Sequence, residues 1–132
     1  MKNRKYLYLS IIATGLMFQS TVASASIEAA LANICNIVKA NDKSELRKKM
    51  KTVQSDYRIR LGDYYDGVTC GGNSLIRTAI LNDAVDTGTL LVKRLPKSQL
   101  RTPEKDGLEL AKWIEANGHA GSPIASVVQD RL

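Results

Sequence analysis

Residues 63–81, D-Y-Y-D-G-V-T-C-G-G-N-S-L-I-R-T-A-I-L, constrain the fold more than any other stretch of the chain. Three glycines in this stretch, and Gly62 just before it, tolerate positive φ angles, so we expect several tight turns here. Ser74 then predicts a helix start, because its hydroxyl can accept a hydrogen bond from the free backbone N–H groups of a first turn. The stretch also contains Cys70, one of only two cysteines. It therefore fixes where the chain bends and where it can be cross-linked.

Cys35 and Cys70 are predicted to form one disulfide. Two cysteines in an exported domain most often pair, because the compartment is oxidising. Closing a loop of this length would stabilise the fold by about 4 kcal/mol, by restricting the unfolded chain. The alternatives are two buried thiols or a redox pair, although the C-x-x-C spacing typical of a redox pair is absent.

The first 25 residues have the features of a cleavable signal peptide. A basic start precedes an apolar run over residues 6–18, and Ala23 and Ala25 are the small residues that signal peptidase accepts. We predict cleavage after Ala25. The alternative is an uncleaved membrane anchor, but the apolar run is shorter than the roughly 20 residues that a spanning helix needs. We therefore expect a soluble periplasmic protein, whose membrane association, if any, is peripheral.

Removal of residues 1–25 would leave a single domain, residues 26–132, long enough to bury one modest core. The whole chain has 19 basic and 13 acidic residues, and three of the basic residues would be removed with the signal peptide, leaving a net charge of +3. Such a small charge does not indicate nucleic-acid binding, and export argues against it as well. We expect no nucleic-acid partner.

Apolar residues at helical spacing predict an all-α domain of five to six short helices, stacked as antiparallel hairpins. No stretch alternates between apolar and polar residues as a half-buried strand does. Asp42, Ser74 and Ser122 are expected to cap helix starts. Thr102-Pro103-Glu104 also predicts a helix start, with a hydroxyl at the cap, proline at the first helical position and an acid in the first turn. The predicted helices cover residues 27–40, 43–59, 75–82, 87–95, 103–117 and 123–132.

Part of the chain resembles the helix pair of an ankyrin repeat. The resemblance is carried by G-N-S-L-I-R-T-A at 72–79 with L-L-V at 90–92, and by residues 108–118 with S-P-I at 122–124. Ser74 and Ser122 stand farther apart than the roughly 33 residues of an ankyrin repeat, and the β-turn between repeats is missing. The resemblance implies an irregular, ankyrin-like scaffold that binds a partner and has no chemistry of its own.

A second resemblance extends over residues 34–100. The matching residues are Cys35, S-E-L-R-K-K at 44–49, Y-D-G-V-T-C at 65–70, G-N-S-L at 72–75 and the helix end at 88–96. These residues are similar to a family of short exported proteins from marine gammaproteobacteria, classed as a domain of unknown function. The resemblance implies export and a pair of cysteines, and it implies no activity.

The sequence contains no pattern typical of a catalytic or metal site. His119 is the only histidine, so with both cysteines oxidised neither a Cys–His pair nor a zinc site can form. The glycines before Ser74 lack the lysine of a phosphate-binding loop, and Asp63 and Asp66 lack the alternate spacing of a calcium loop. A paired-carboxylate hydrolase is the remaining catalytic alternative. We predict a non-catalytic protein without cofactor or metal.

One candidate surface is a protein-binding edge formed by Tyr57, Arg58, Arg60, Tyr64 and Tyr65. Protein interfaces favour tyrosine and arginine. This surface would bind another envelope protein, as an adaptor or an immunity-like protein does. The alternative is that one of the paired tyrosines fills the core and the other lies flat on the surface.

The other candidate surface is a basic helix face formed by Arg47, Lys48, Lys51 and Arg58, which would bind anionic lipid or polysaccharide. The alternative is an ordinary solvated helix face with ion pairs at i, i+4, namely Glu45–Lys49 and Asp56–Arg60. Salt distinguishes the two functions, because binding through charge weakens as ionic strength rises, whereas a tyrosine-centred interface persists.

Overall fold

The structure, a computed structural model, describes residues 27–132, and helices dominate this range. The α-helices are α1 (Ile34–Lys39), α2 (Lys43–Tyr57), α3 (Leu61–Tyr64), α4 (Leu75–Leu81), α5 (Val85–Arg94), α6 (Lys97–Leu100), α7 (Leu110–Ala116) and α8 (Pro123–Arg131). A 3-10 helix, Tyr65–Gly67, follows α3 directly. The described range contains no strand, only an isolated bridge between Cys70 and Asn73. The predicted all-α class is confirmed, and the predicted cleavage after Ala25 lies outside the described residues.

The helix starts that depend on a local cap lie where the sequence predicts them. Asp42 accepts a hydrogen bond from the backbone N–H of Glu45 at 3.1 Å and begins α2. The Ser74 hydroxyl accepts from the N–H of Arg77 at 3.3 Å and begins α4. Ser122 does the same for α8. These contacts reach two or three residues along the chain, so the sequence alone determines them.

The predicted helix over residues 27–40 is interrupted. Residues 27–30 are helical, but Asn33 adopts a left-handed conformation with φ of 66° and α1 begins after it. Asparagine tolerates this conformation better than most residues. Likewise α2 ends at Tyr57 rather than residue 59, because Arg58 has φ of 55°.

The predicted helix start at Thr102-Pro103-Glu104 is wrong. The Thr102 hydroxyl donates to the carbonyl of Ser98 instead of capping a new helix. Backbone hydrogen bonds between Glu104 and Leu108 and from Gly107 to Glu104, both 2.9 Å, close a tight loop, and α7 begins only at Leu110. Two one-turn helices, α3 and α6, were also not predicted, and residues 34–132 contain eight α-helices.

The core is centred on α4, which is buried from Leu75 to Ile80. Its neighbour α5 makes the most extensive helix contact of the described range, with α8. Gly88 allows this close approach, since a Cβ atom there would lie 2.4 Å from Cδ1 of Ile124. No helix within residues 27–132 has the length and apolar content needed to cross a membrane.

A disulfide and a set of side-chain hydrogen bonds hold the N-terminal helices against this core. The predicted disulfide between Cys35 and Cys70 is confirmed, and it joins α1 to the turn before α4. In that turn, Gly71 and Gly72 have φ of 58° and 87°, as the glycine pattern predicts. The Asn41 side chain, in the turn between α1 and α2, accepts hydrogen bonds from the first backbone N–H groups of α5 at 2.8 and 3.1 Å. Asn41 therefore caps a helix that is distant in sequence.

Candidate functional site: a basic groove

A groove of about 500 Å³ opens where α2, α3 and α5 meet. Its volume is within the range of about 300–1,000 Å³ that is typical of small-ligand sites. The groove is lined by Arg47, Met50, Lys51, Gln54, Arg60, Leu61 and Arg94.

Three separate elements position the lining residues. The four contributed by α2 are spaced at i, i+3, i+4 and i+7, which places them on one face of the helix. Arg60 immediately precedes α3, and its backbone N–H donates to the Asp63 carboxylate at 2.7 Å, which fixes the start of that short helix. Arg94 is the last residue of α5. The groove therefore depends on tertiary packing and is not a property of one helix.

The groove is strongly cationic. Four of its seven lining residues are Arg or Lys, and none is acidic. Within the described range, the two salt bridges both involve Arg77, so no carboxylate forms a salt bridge with a groove cation. The predicted Asp56–Arg60 ion pair is not formed, and Lys49 donates to the carbonyl of Ala30 at 2.8 Å rather than pairing with Glu45. An anionic ligand would find these charges uncompensated.

The wall between the cations is apolar. Leu61 is buried in the core, and Met50 is half-buried against it. Gln54 is exposed at the end of the α2 face and offers an amide that can both donate and accept hydrogen bonds. The groove can therefore contact the uncharged part of a ligand as well as its anionic groups.

The predicted basic face is divided by the structure. All four of its residues are exposed, but only Arg47 and Lys51 line the groove. Lys48 lines a different depression, beside Glu45. Arg58 lies beyond the end of α2 and lines neither.

The predicted protein-binding edge is also divided. Tyr64 and Tyr65 lie in the core with exposed fractions of 6% and 4%, so neither ring presents a surface to a partner. Burial raises the pKa of Tyr64 to about 12, and it raises the pKa of Tyr65 as well. Tyr57 is half-buried against the core and Arg58 is exposed. Arg60 is the one member of this set that joins the groove.

A second polar cluster surrounds Arg77, which is buried although it is charged. Its guanidinium donates to the Asp106 carboxylate at 2.6 and 3.1 Å and lies 3.0 Å from the Glu104 carboxylate. It also lies 4.9 Å from the ring centroid of Trp113, on which His119 stacks at 5.2 Å. No local pattern in the sequence indicates this cluster, because Arg77, Asp106 and Trp113 are far apart in the chain. A cleft of about 390 Å³ borders the cluster.

The Arg77 cluster is internally compensated. Burial works against the charge of Arg77, but its hydrogen bond to Asp106 and the charge of Glu104 more than offset this and raise its pKa. The same hydrogen bond lowers the pKa of Asp106. Because opposite charges meet within it, the cluster fastens the loop before α7 to α4 and leaves no uncompensated positive charge for an anionic ligand. Within residues 27–132, no three His, Cys, Asp or Glu side chains are grouped as metal ligands would be.

Comparison with known proteins identifies one family. A family described as a protein of unknown function (DUF3718) matches residues 34–102. No curated protein and no solved structure matches the chain. The match confirms that the chain belongs to a domain family of unknown function. The predicted residue motif of that family, its source organisms and its export stay predictions. Every residue that lines the groove lies inside the matched range, whereas Glu104, Asp106 and Trp113 lie outside it.

Proposed function

The chain belongs to DUF3718, a family without an assigned activity, and we propose that it is a non-catalytic module that binds an anionic component of the cell envelope through the basic groove. The proposal includes export to the periplasm by the predicted signal peptide and the ankyrin-like character of the helical stack. The anionic component is a lipid or a polysaccharide.

One observation carries the proposal: four cations converge on one groove without a carboxylate among its lining residues. Placing like charges together opposes folding, since each repels the others. A fold usually disperses such charges or pairs them with acids, as this fold does around Arg77. An unpaired cluster in a concave site is therefore better explained by a ligand than by stability.

The groove provides binding groups, and Lys51 is its only lining residue of a type that can act as a nucleophile or base. Arg and Lys side chains donate hydrogen bonds to oxyanions and accept none. The groove holds no Ser, Cys, His, Asp or Glu to act on a bound molecule. This composition supports recognition rather than catalysis.

A second candidate function is the predicted adaptor or immunity-like binding of another envelope protein. Burial of Tyr64 and Tyr65 removes the centre of the surface first predicted for it. Two other residues favour it: Leu81 and Leu108 are large apolar side chains with exposed fractions of 48% and 39%. Both are near Arg77, because Leu81 is one helical turn further along α4 and the Leu108 carbonyl accepts from Arg77 at 3.2 Å. Such exposed apolar side chains are typical of protein contacts when they are grouped.

Two double variants of equal charge test the groove. Arg47→Ala with Lys51→Ala removes two cations from it, and Lys43→Ala with Lys48→Ala removes two exposed cations of the same helix that do not line it. Binding is measured by co-sedimentation with phosphatidylglycerol vesicles and with insoluble anionic polysaccharide, at low and high salt.

We expect the groove variant to bind at least tenfold more weakly, because each charge-assisted hydrogen bond contributes about 1.5–3 kcal/mol and 1.4 kcal/mol is tenfold. The control variant should bind within about twofold of the wild type, and salt should weaken binding of both. Equal losses in the two variants would show that diffuse charge, not the groove, is responsible. Binding that persists in high salt would show that attraction between charges does not hold the ligand, and would contradict the proposal.

A further inference from the structure

We infer that the groove is a discrete site for a compact ligand with two phosphate groups, held by paired hydrogen bonds from its arginines. This inference rests on the proposed function and narrows it. A diffuse basic surface would attract any polyanion, whereas this site would select ligands by the geometry of their anionic groups.

The convergence of three elements indicates a discrete site. Arg47 and Lys51 approach from α2, Arg60 from the start of α3, and Arg94 from the end of α5. Cations on one helix face would follow an extended polymer along that helix. Cations that line a concave volume of about 500 Å³ from three elements instead favour a compact ligand.

The residue types favour phosphate recognition. Three of the four groove cations are arginine. The planar guanidinium presents two parallel N–H donors, which match two oxygens of one phosphate, whereas lysine acts as a point charge. Two phosphates could thus each be held by a guanidinium fork, with further cations adjacent.

The density of positive charge in the groove favours phosphate ligands over carboxylate ligands. The groove presents four positive charges in a small volume. A phosphate ester carries about −1.5 to −2 at pH 7, so two of them would nearly neutralise the groove. A uronic-acid polymer has only one carboxylate per sugar ring. A polymer segment short enough to fit the groove would therefore have fewer negative charges than the groove has positive charges. The apolar surface of Met50 and Leu61 can pack against the carbon atoms between the phosphates.

The test is calorimetric titration of inorganic pyrophosphate into the folded, disulfide-bonded protein. The critical variant is Arg47→Lys with Arg60→Lys and Arg94→Lys, which keeps every charge and removes every guanidinium fork. The control is Lys43→Ala with Lys48→Ala. We expect one pyrophosphate per protein, at least tenfold weaker binding in the lysine variant, and a change within about twofold in the control.

Thermal melting of each variant checks its folding, and the single variants Arg47→Lys and Arg94→Lys replace the triple variant if it is unstable. Equal affinity of the lysine variants and the wild type would overturn the inference, because charge alone would then explain binding. Polygalacturonate binding that depends on the groove, without pyrophosphate binding, would also overturn it while leaving the proposed function intact. Absence of groove-dependent binding to pyrophosphate, polygalacturonate and anionic vesicles would overturn both.

The source of the phosphates is decided by competition. Phosphatidylcholine vesicles that contain a polyprenyl pyrophosphate displace inorganic pyrophosphate if the groove takes a lipid headgroup with two phosphates. If the vesicles do not displace pyrophosphate and pyrophosphate still binds, the natural ligand is a soluble phosphorylated molecule. Both results support a phosphate site.

Discussion

Substitution of Gly88 by alanine tests the packing at the centre of the fold. Gly88 lies in α5, where that helix crosses α8. A Cβ atom at this position would lie 2.4 and 2.9 Å from two carbons of Ile124 and 3.1 Å from the Cβ of Ala79. Real carbon atoms do not approach to 2.4 Å, and Ile124 and Ala79 are fully buried, so neither can swing into solvent.

Two effects of opposite sign determine the magnitude. Overpacking a core costs about 1–3 kcal/mol, and three close contacts place this site near the upper end of that range. Replacing glycine by alanine inside a helix returns about 1 kcal/mol. The contacts should prevail, and we expect the free energy of unfolding to fall by about 2 kcal/mol, a large part of the roughly 5–15 kcal/mol typical of a domain.

The assay is urea denaturation with the disulfide intact, where the midpoint should fall and the slope should stay unchanged. Gly67→Ala is the matched control, because no atom lies within 4 Å of its added Cβ, and it should change stability by less than about 0.5 kcal/mol. Ile124→Val removes the carbon at 2.4 Å and should cost about 1 kcal/mol alone. Combined with Gly88→Ala, it should cost less than the two single losses together. A Gly88→Ala protein as stable as the wild type, or additive losses in the double variant, would refute this account of the helix crossing.

Four further predictions follow from individual contacts. Asn41→Ala removes the hydrogen bonds that cap α5 and should lower the free energy of unfolding by about 1–2 kcal/mol in urea; no loss would contradict the capping role. Arg77→Met leaves the partly buried Glu104 without its counter-ion and should cost up to about 3 kcal/mol, at or below the low end expected for breaking a buried pair. Tryptophan emission should shift as well, and an unshifted emission would disprove the contact with the ring. Burial raises the pKa of Glu104 above its ordinary 4.5, so the folded state binds this proton more tightly than the unfolded state does. The free energy of unfolding should therefore fall as pH rises from 4.5 through the raised pKa. Glu104→Gln should flatten this dependence of stability on pH, and an unchanged dependence would contradict the raised pKa of Glu104. Intact mass of the protein from a periplasmic fraction should lack residues 1–25, and a mass that still includes them would refute the predicted cleavage after Ala25.

The fold could be predicted from the sequence where local contacts determine it. Ser74 and Ser122 cap helices through N–H groups only a few residues away, so both helix starts are correct. Glu104 follows the same local rule for a first helical turn, but its carboxylate lies against the guanidinium of Arg77, far away in sequence. The ion pair between Glu104 and Arg77 is a long-range contact that competes with the local helix-start pattern, and α7 begins only at Leu110.

The candidate site was predictable only in part, for the same reason. The spacing of Arg47 and Lys51 places them on one face of α2, and the sequence shows that spacing directly. Arg94 reaches the same groove from another helix, and no local pattern indicates that. Tyr64 and Tyr65 are of a residue type that suits both cores and interfaces, so only tertiary packing decides that they are buried.

We propose that the groove, and not the whole basic surface, binds a phosphorylated ligand. The most direct measurement is an NMR titration of the isotope-labelled protein with pyrophosphate, followed through backbone amide and arginine side-chain signals. We expect saturable shifts confined to Arg47, Lys51, Arg60, Arg94 and their immediate neighbours. Shifts of similar size at Lys43 and Lys48, without saturation, would contradict it.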